Sequence, residues 1–122
     1  MSRADELLGR DAELLWHPYS SLSDPSPARL VTGADGVRLR MTGPEGASYE
    51  VIDAMASWWC VIHGYRHPVL DAALREQADR FSHVMFGGLT HEPAVRLAER
   101  LVEITPDPLR HVFFCDSGSV SV

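Results

Sequence analysis

The clearest chemical signal in this 122-residue sequence is a serine- and glycine-rich turn near its carboxyl end. The β-branched and aromatic run His111–Cys115 leads directly into Asp116-Ser117-Gly118-Ser119. That order predicts a buried strand followed by a turn that opens a helix, although we expect the helix itself to be missing here. The N–H groups at such a turn and the Ser119 hydroxyl suit a phosphate group. An ordinary strand-to-helix turn with a serine N-cap gives the same pattern, and the tetrapeptide alone favours it.

Two aromatic segments are candidates for the wall of a flat binding pocket. In Ser57–Trp59 two tryptophans are adjacent, and adjacent side chains of an irregular segment point to different sides. At most one of them is then easily placed in a core, which leaves the other for an interface or a ligand pocket. In Trp16–Tyr19 two aromatic residues surround a rigid proline. The competing interpretation is packing, with both tryptophans in a core or subunit interface and Trp16–Tyr19 against a helix end.

Other catalytic patterns are weak. His63 and His67 are four residues apart, but they flank an irregular segment, and no cysteine or carboxylate completes a metal-ligand set at the required spacing. We therefore expect no metal site. His83 and His91 flank a glycine-containing loop, where we expect them to hold the backbone by hydrogen bonds. The GxSxG pattern of a serine nucleophile is not present.

Composition excludes several classes of function. The net charge of −6 gives no electrostatic reason to expect a nucleic acid or an anionic membrane as partner. All 11 basic residues are arginine, so no lysine of this chain can form a Schiff base. Two cysteines outside any CxxC motif favour a reducing, cytoplasmic setting. We expect neither a signal peptide nor a membrane-spanning segment.

The elements that must position these residues follow from hydrophobic periodicity. The sequence predicts an amphipathic helix over residues 4–15 and an antiparallel meander of three strands near 29–32, 37–42 and 49–53. Helices are predicted from Pro68 to Phe81 and from Pro93 to Ile104, before the final strand. This order is typical of the entry into an α/β fold, whose core one strand of the sheet cannot close. We expect the chain to have little stability on its own.

Five segments in order resemble one family, the 7,8-diaminononanoate synthases, which are the adenosylmethionine–8-amino-7-oxononanoate aminotransferases of biotin biosynthesis. They are Trp16–Tyr19, Asp53–Trp59, His63–Pro68, His83–His91 and Asp116–Val120. The resemblance runs from about residue 14 to residue 122 and covers the first quarter to third of a family member. The Trp-Trp pair and the His-Pro-Tyr motif distinguish this family from other class III aminotransferases, which share the Ser-Gly-Ser turn.

The resemblance implies an α/β chain with the fold-type-I architecture of pyridoxal 5'-phosphate enzymes. Residues 1–55 would supply the N-terminal segment and the meander of the small domain. Residues 56–122 would begin the large cofactor-binding domain, which is truncated here. Gly118 and Ser119 would hold the phosphate of the cofactor. Members of the family are homodimers with shared active sites.

The same resemblance implies a binding site for two small-molecule substrates, S-adenosylmethionine and 8-amino-7-oxononanoate. Trp58 would line the substrate pocket, with Trp59 beside it. Tyr19 would contact substrate and stack on the adenine of S-adenosylmethionine. Met85 and Gly87 would extend towards the active site of the partner subunit.

The catalytic residues of the family find no match in this chain. Its Schiff-base lysine, the aspartate on the pyridine nitrogen and the carboxylate-binding arginine all correspond to positions beyond residue 122. We therefore expect the 122-residue polypeptide alone to be inactive. Two alternatives stay open: a different class III aminotransferase acting on ω-amino acids, and a non-catalytic remnant that serves as an interaction surface.

Overall fold

The computed structural model describes residues 2–43 and 46–122, beginning with helix α1 (Arg3–Leu14). Ser2 caps this helix through a reciprocal pair of hydrogen bonds. The Asp5 N–H donates to Ser2 Oγ at 3.1 Å, and the Ser2 N–H donates to Asp5 Oδ2 at 2.8 Å. These bonds from Ser2 hold the pKa of Asp5 below its usual value. The predicted helix is confirmed and begins and ends one residue earlier.

The predicted meander is also confirmed, as one antiparallel sheet in the order β1-β2-β3. Its strands are β1 (Leu30–Asp35), β2 (Arg38–Thr42) and β3 (Ser48–Ile52). In the central strand Leu39 lies opposite Ala34 on one side and Val51 on the other. The turn predicted between β2 and β3 includes Pro44 and Glu45, which lie outside the described residues.

In the described part of the chain, four helical segments follow the sheet. They are α2 (Ala56–Trp59), α3 (Pro68–Arg80), α4 (Glu92–Ile104) and α5 (Gly118–Ser121). The two predicted long helices, α3 and α4, are confirmed. His91 caps α4 by accepting a hydrogen bond from the Ala94 N–H at Nδ1, 3.3 Å away, so the prediction that this histidine holds backbone is confirmed.

Two predictions about the carboxyl end are wrong. His111–Cys115 forms no strand, because no strand among the described residues pairs with it, and a strand exists only through hydrogen bonds to a neighbour. Phe113 is accordingly 90% exposed. The helix that we expected to be missing after the turn is present as the single turn α5, capped by Ser117.

The chain divides into two compact units, Met1–Arg75 and Glu76–Val122. The division predicted at residues 55 and 56 concerns the domains of the complete family fold and stays a prediction. Across the described residues only Ala4 and Gly43 are buried, while many large apolar side chains are exposed. No helix in the described part of the chain is long and apolar enough to cross a membrane.

Candidate functional site

The two adjacent tryptophans lie in a left-handed turn. All four residues of α2 have a positive φ, between 46° and 68°, and ψ is 57° at Ser57 and 46° at Trp58. These are left-handed helical values, which cost roughly 1–2 kcal/mol for each residue that carries a Cβ. The sequence predicts an irregular segment here, and the structure defines it as a strained turn. Such a turn persists only where its surroundings hold it.

The carboxylate of Asp53 supplies that support. Asp53 Oδ2 accepts hydrogen bonds from the Ser57 N–H at 2.7 Å and the Tyr65 hydroxyl at 2.6 Å, while Oδ1 accepts from the Met55 N–H at 3.1 Å. The hydroxyls of Ser57 and Tyr65 are also in contact. The Asp53 N–H donates to the Val37 carbonyl at 2.9 Å, which ties this residue to the connection between β1 and β2. The turn is thus joined to the meander through one side chain.

Hydrogen bonding fixes the ionisation of this network. The bond from the Tyr65 hydroxyl is the largest influence that lowers the pKa of Asp53, and the Ser57 and Met55 N–H groups lower it further. The same bond to Asp53 raises the pKa of Tyr65. A carboxylate accepts and a phenol donates across the neutral pH range, because both shifts favour that pair of states.

The other end of the network is held by a close backbone approach. The Tyr65 N–H donates to the Gly36 carbonyl at 2.7 Å, and the Gly36 N–H donates to the Tyr65 carbonyl at 3.1 Å. Gly64, at φ 85°, lies so close that a Cβ there would be 3.0 Å from the Gly36 oxygen. An exposed ion pair joins Arg66 to Asp35 at 3.4 Å. Glycine at position 64 is therefore required by both its φ and its neighbour.

Sequence reasoning missed Asp53 and Tyr65 as members of the site. A signal existed in the spacing, because an aspartate at the end of a strand commonly accepts from N–H groups two to four residues later. The tyrosine carried no local signal, since it is 12 residues further along the chain.

Tyr19 and Trp58, which are distant in sequence, meet edge to face. Their ring centroids are 5.7 Å apart at an interplanar angle of 75°. The Tyr19 ring is 96% exposed and Trp58 is 56% exposed, so one face of the pair is open to a ligand. Trp59 is 82% exposed. An open aromatic wall with a hydroxyl at one end suits a flat ligand that also carries polar groups.

The segment before Tyr19 is held by short-range hydrogen bonds. Trp16 Nε1 donates to the Ser20 carbonyl at 3.0 Å, and the Ser20 hydroxyl donates to the His17 carbonyl at 2.9 Å. His17 Nε2 lies 2.8 Å from Asp11 Oδ2 on α1. Tyr19 itself has a φ of 59°. These contacts fix the loop while leaving the tyrosine ring free.

In the second unit, Met85 and Gly87 lie together on the loop before α4. A Cβ on Gly87 would lie 3.6 Å from Met85 Sδ, and the methionine is largely exposed. Phe86 stacks on His91 with ring centroids 5.2 Å apart, and on Phe114 at 6.0 Å. Phe86 therefore contacts two aromatic rings of the second unit although it is 52% exposed, and Met85 is 62% exposed.

The turn at Ser117–Ser119 has the donors that a phosphate requires. Ser117 Oγ accepts from the Val120 N–H at 3.3 Å. No acceptor in the described part of the chain bonds the N–H groups of Gly118 or Ser119. A Cβ on Gly118 would meet no atom within 4 Å. The N–H groups of Gly118 and Ser119 and the Ser119 hydroxyl are thus available at this turn. They are hydrogen-bond donors of the kind that bind phosphate, and there is room for one beside Gly118.

Comparison with known proteins gives the class to which this fold and these segments belong. Residues 19–122 match the family described as aminotransferase class-III. The chain therefore belongs to the class III aminotransferases, whose cofactor is pyridoxal phosphate.

Individual relatives agree with this assignment. The adenosylmethionine-8-amino-7-oxononanoate aminotransferase of Mycobacterium leprae is 54% identical over 115 residues, which are 92% of this chain and 26% of the relative. The crystal structure of the enzyme with the same name from Methanocaldococcus jannaschii matches 97% of this chain and 26% of its own, with a TM-score of 0.81 and 30% identity.

A third match is to a protein whose name gives a different activity. The ω-transaminase of Pseudomonas jessenii, whose structure contains PMP, matches 94% of this chain and 25% of its own, with a TM-score of 0.76 and 28% identity. The chain spans about a quarter of the length of each of these three proteins. The family resemblance read from the sequence is confirmed.

Proposed function

We propose that the protein containing this chain transfers the amino group of S-adenosylmethionine to 8-amino-7-oxononanoate, giving 7,8-diaminononanoate in biotin biosynthesis. The observation that carries this proposal is the open Tyr19–Trp58 pair, in a chain whose relatives have this activity in their names. The protein acts as a cytoplasmic homodimer. None of the 122 residues is assigned a catalytic role.

The cofactor is pyridoxal 5'-phosphate, which supplies an electron sink to the reaction when it is bound. Gly118 and Ser119 hold its phosphate. Support comes from the family match and from the accessible N–H groups and hydroxyl at that turn. Because Gly118 has no side chain, the backbone can approach the phosphate oxygens closely.

The aromatic wall binds donor and acceptor in turn. Trp58 lines the pocket, Trp59 lies beside it, and Tyr19 stacks on the adenine of the donor. One pocket that accepts both an adenosyl group and an apolar carbon chain needs flat, apolar surfaces rather than a dense set of polar groups. The exposed ring of Tyr19 and its edge contact with Trp58 support this assignment.

Met85 and Gly87 extend towards the active site of the second subunit. Met85 is 62% exposed and Phe86 is 52% exposed, so this loop has apolar surface available for such a contact. The partner in this proposal is a second copy of the same protein, as the family resemblance implies.

A second candidate is amino transfer from an ω-amino acid. The match to the ω-transaminase structure favours it, at a TM-score of 0.76. Class III aminotransferases share the Ser-Gly-Ser turn, so that turn does not separate the two candidates. The two differ in the amino donor.

The test is a donor profile of the protein expressed from the longest natural reading frame that contains this sequence. With 8-amino-7-oxononanoate as acceptor, S-adenosylmethionine should give 7,8-diaminononanoate, and ω-amino acids should give little. Turnover with ω-amino acids and none with S-adenosylmethionine would favour the second candidate. Absence of turnover with every donor, in a protein loaded with the cofactor, would favour the non-catalytic alternative.

A further inference from the structure

We propose that Asp53 and Tyr65 are positioning residues of this site, which hold the Ala56–Trp59 turn in its left-handed form and so set Trp58 against Tyr19. Neither side chain lies in the aromatic wall itself. They act on Trp58 through the backbone of α2. Asp53 Oδ2 accepts hydrogen bonds both from the Ser57 N–H, which belongs to α2, and from the Tyr65 hydroxyl.

The need for such support comes from the backbone of α2. None of its four residues is glycine, yet all have a positive φ. A right-handed turn is the favoured state of alanine, serine and tryptophan, and it differs by about 110° in φ. That change would re-aim the Cα–Cβ bond of Trp58 and separate its ring from Tyr19.

The network is fixed to the sheet at two points, so it can resist that change. Asp53 donates its N–H to Val37, and Tyr65 exchanges two backbone hydrogen bonds with Gly36. Asp53 and Tyr65, whose carboxylate and hydroxyl are hydrogen-bonded to each other, are therefore both attached through their backbones to the same β1–β2 connection. Trp58 is therefore the residue whose orientation depends on the network, and the sheet holds the network in place.

The consequence for function rests on the proposed S-adenosylmethionine reaction. If Trp58 is set correctly only in the left-handed turn, weakening the network should reduce donor binding rather than the chemical step. KM for S-adenosylmethionine then rises, while kcat at saturation stays close to its original value.

The principal variant is Tyr65→Phe, which removes one hydroxyl and keeps the ring. The matched control is Tyr49→Phe on β3, because the Tyr49 hydroxyl has no hydrogen-bond partner among the described residues. The rescue variant adds Ala56→Gly to Tyr65→Phe. Glycine adopts a positive φ without a steric cost, so it should restore the turn without restoring the hydroxyl.

Two readouts are measured on the full-length holoenzyme labelled with 5-fluorotryptophan. One is the ¹⁹F resonance of Trp58, assigned by its loss in Trp58→Phe, and the other is KM for S-adenosylmethionine. In Tyr65→Phe we expect the resonance to shift and KM to rise about tenfold, as for the loss of one hydrogen bond to a charged group. Tyr49→Phe should change neither, and Ala56→Gly should return both towards their original values.

An unchanged Trp58 resonance in Tyr65→Phe would overturn the proposal. So would a shifted resonance that Ala56→Gly does not restore, because the effect would then be a general loss of structure. If Tyr65→Phe does not fold, the same comparison is made with Ser57→Ala, which removes only the hydroxyl next to Tyr65. The resonance decides the positioning role even if S-adenosylmethionine is not the donor, so the two proposals can fail separately.

Discussion

At the residue scale, Tyr19 carries the prediction about the donor. Replacing Tyr19 with alanine removes the face on which adenine stacks, a contact worth about 1–3 kcal/mol per base, so KM for S-adenosylmethionine should rise roughly 5- to 150-fold. Tyr19→Phe keeps the ring and should bind the donor nearly as well. Steady-state kinetics with each substrate varied in turn measures both variants. Equal donor KM values in the alanine variant and the unmodified protein would contradict the stacking role.

A second residue-scale prediction concerns the ionisation of Tyr65. Its pKa is raised by the bond to Asp53, so the network stabilises the fold fully below the usual tyrosine pKa, and this contribution is lost as pH rises through the higher folded value. On the acid side the pKa of Asp53 is lowered, so the contribution is present above the usual carboxyl value and lost as pH falls through the folded value.

Phenolate absorbance measures this prediction directly. The difference in absorbance between the unmodified protein and Tyr65→Phe gives the titration of Tyr65 alone, which should occur above the usual value of about 10. When both proteins also carry Asp53→Asn, the titration of Tyr65 obtained from the same absorbance difference should move to lower pH. The carboxylate that favours the neutral phenol is then absent. Identical titrations in the two backgrounds would show that Asp53 does not set this pKa.

At the element scale, the connection between the sheet and α2 depends on Gly64. Gly64→Ala places a Cβ 3.0 Å from the Gly36 oxygen at a φ of 85°, so we expect a loss of about 1–3 kcal/mol and a lower Tm. Gly36→Ala is the control, because it has a positive φ but no atom within 4 Å of the new Cβ. Calorimetry of the full-length protein compares the two. If Gly36→Ala were the more damaging, the close approach would not be what requires glycine.

The sequence predicted correctly the elements that show a clear hydrophobic pattern within their own segment. The meander followed from alternating Val37, Leu39 and Met41, and α4 followed from its apolar periodicity. The left-handed turn at Ala56–Trp59 could not be predicted, because alanine, serine and tryptophan each disfavour it and a tyrosine downstream helps to hold it. His111–Cys115 was wrongly predicted as a strand for a related reason: its composition suits a strand, but pairing depends on a neighbour.

At the scale of the whole molecule, the residues that the structure describes do not enclose a core of large apolar side chains. Ala4 and Gly43 are the only buried residues among those described, and exposed apolar side chains occur in both compact units. We therefore expect the isolated chain to unfold without a cooperative transition, since little apolar surface is removed from water on folding. Differential scanning calorimetry tests this, and a sharp heat-absorption peak at low protein concentration would contradict it.

The last prediction concerns the activity of the isolated polypeptide. With no lysine among its 122 residues, it has no side-chain amine to bind the aldehyde of pyridoxal phosphate, whatever the Gly118 and Ser119 donors contribute to the phosphate. Purified chain, given cofactor, S-adenosylmethionine and 8-amino-7-oxononanoate, should form no 7,8-diaminononanoate, and borohydride reduction should leave no cofactor on any side chain by mass spectrometry. The control is the full-length protein under the same conditions, purified from a host that lacks its own diaminononanoate synthase. Turnover by the isolated chain in that host background would mean that a group other than lysine carries the reaction.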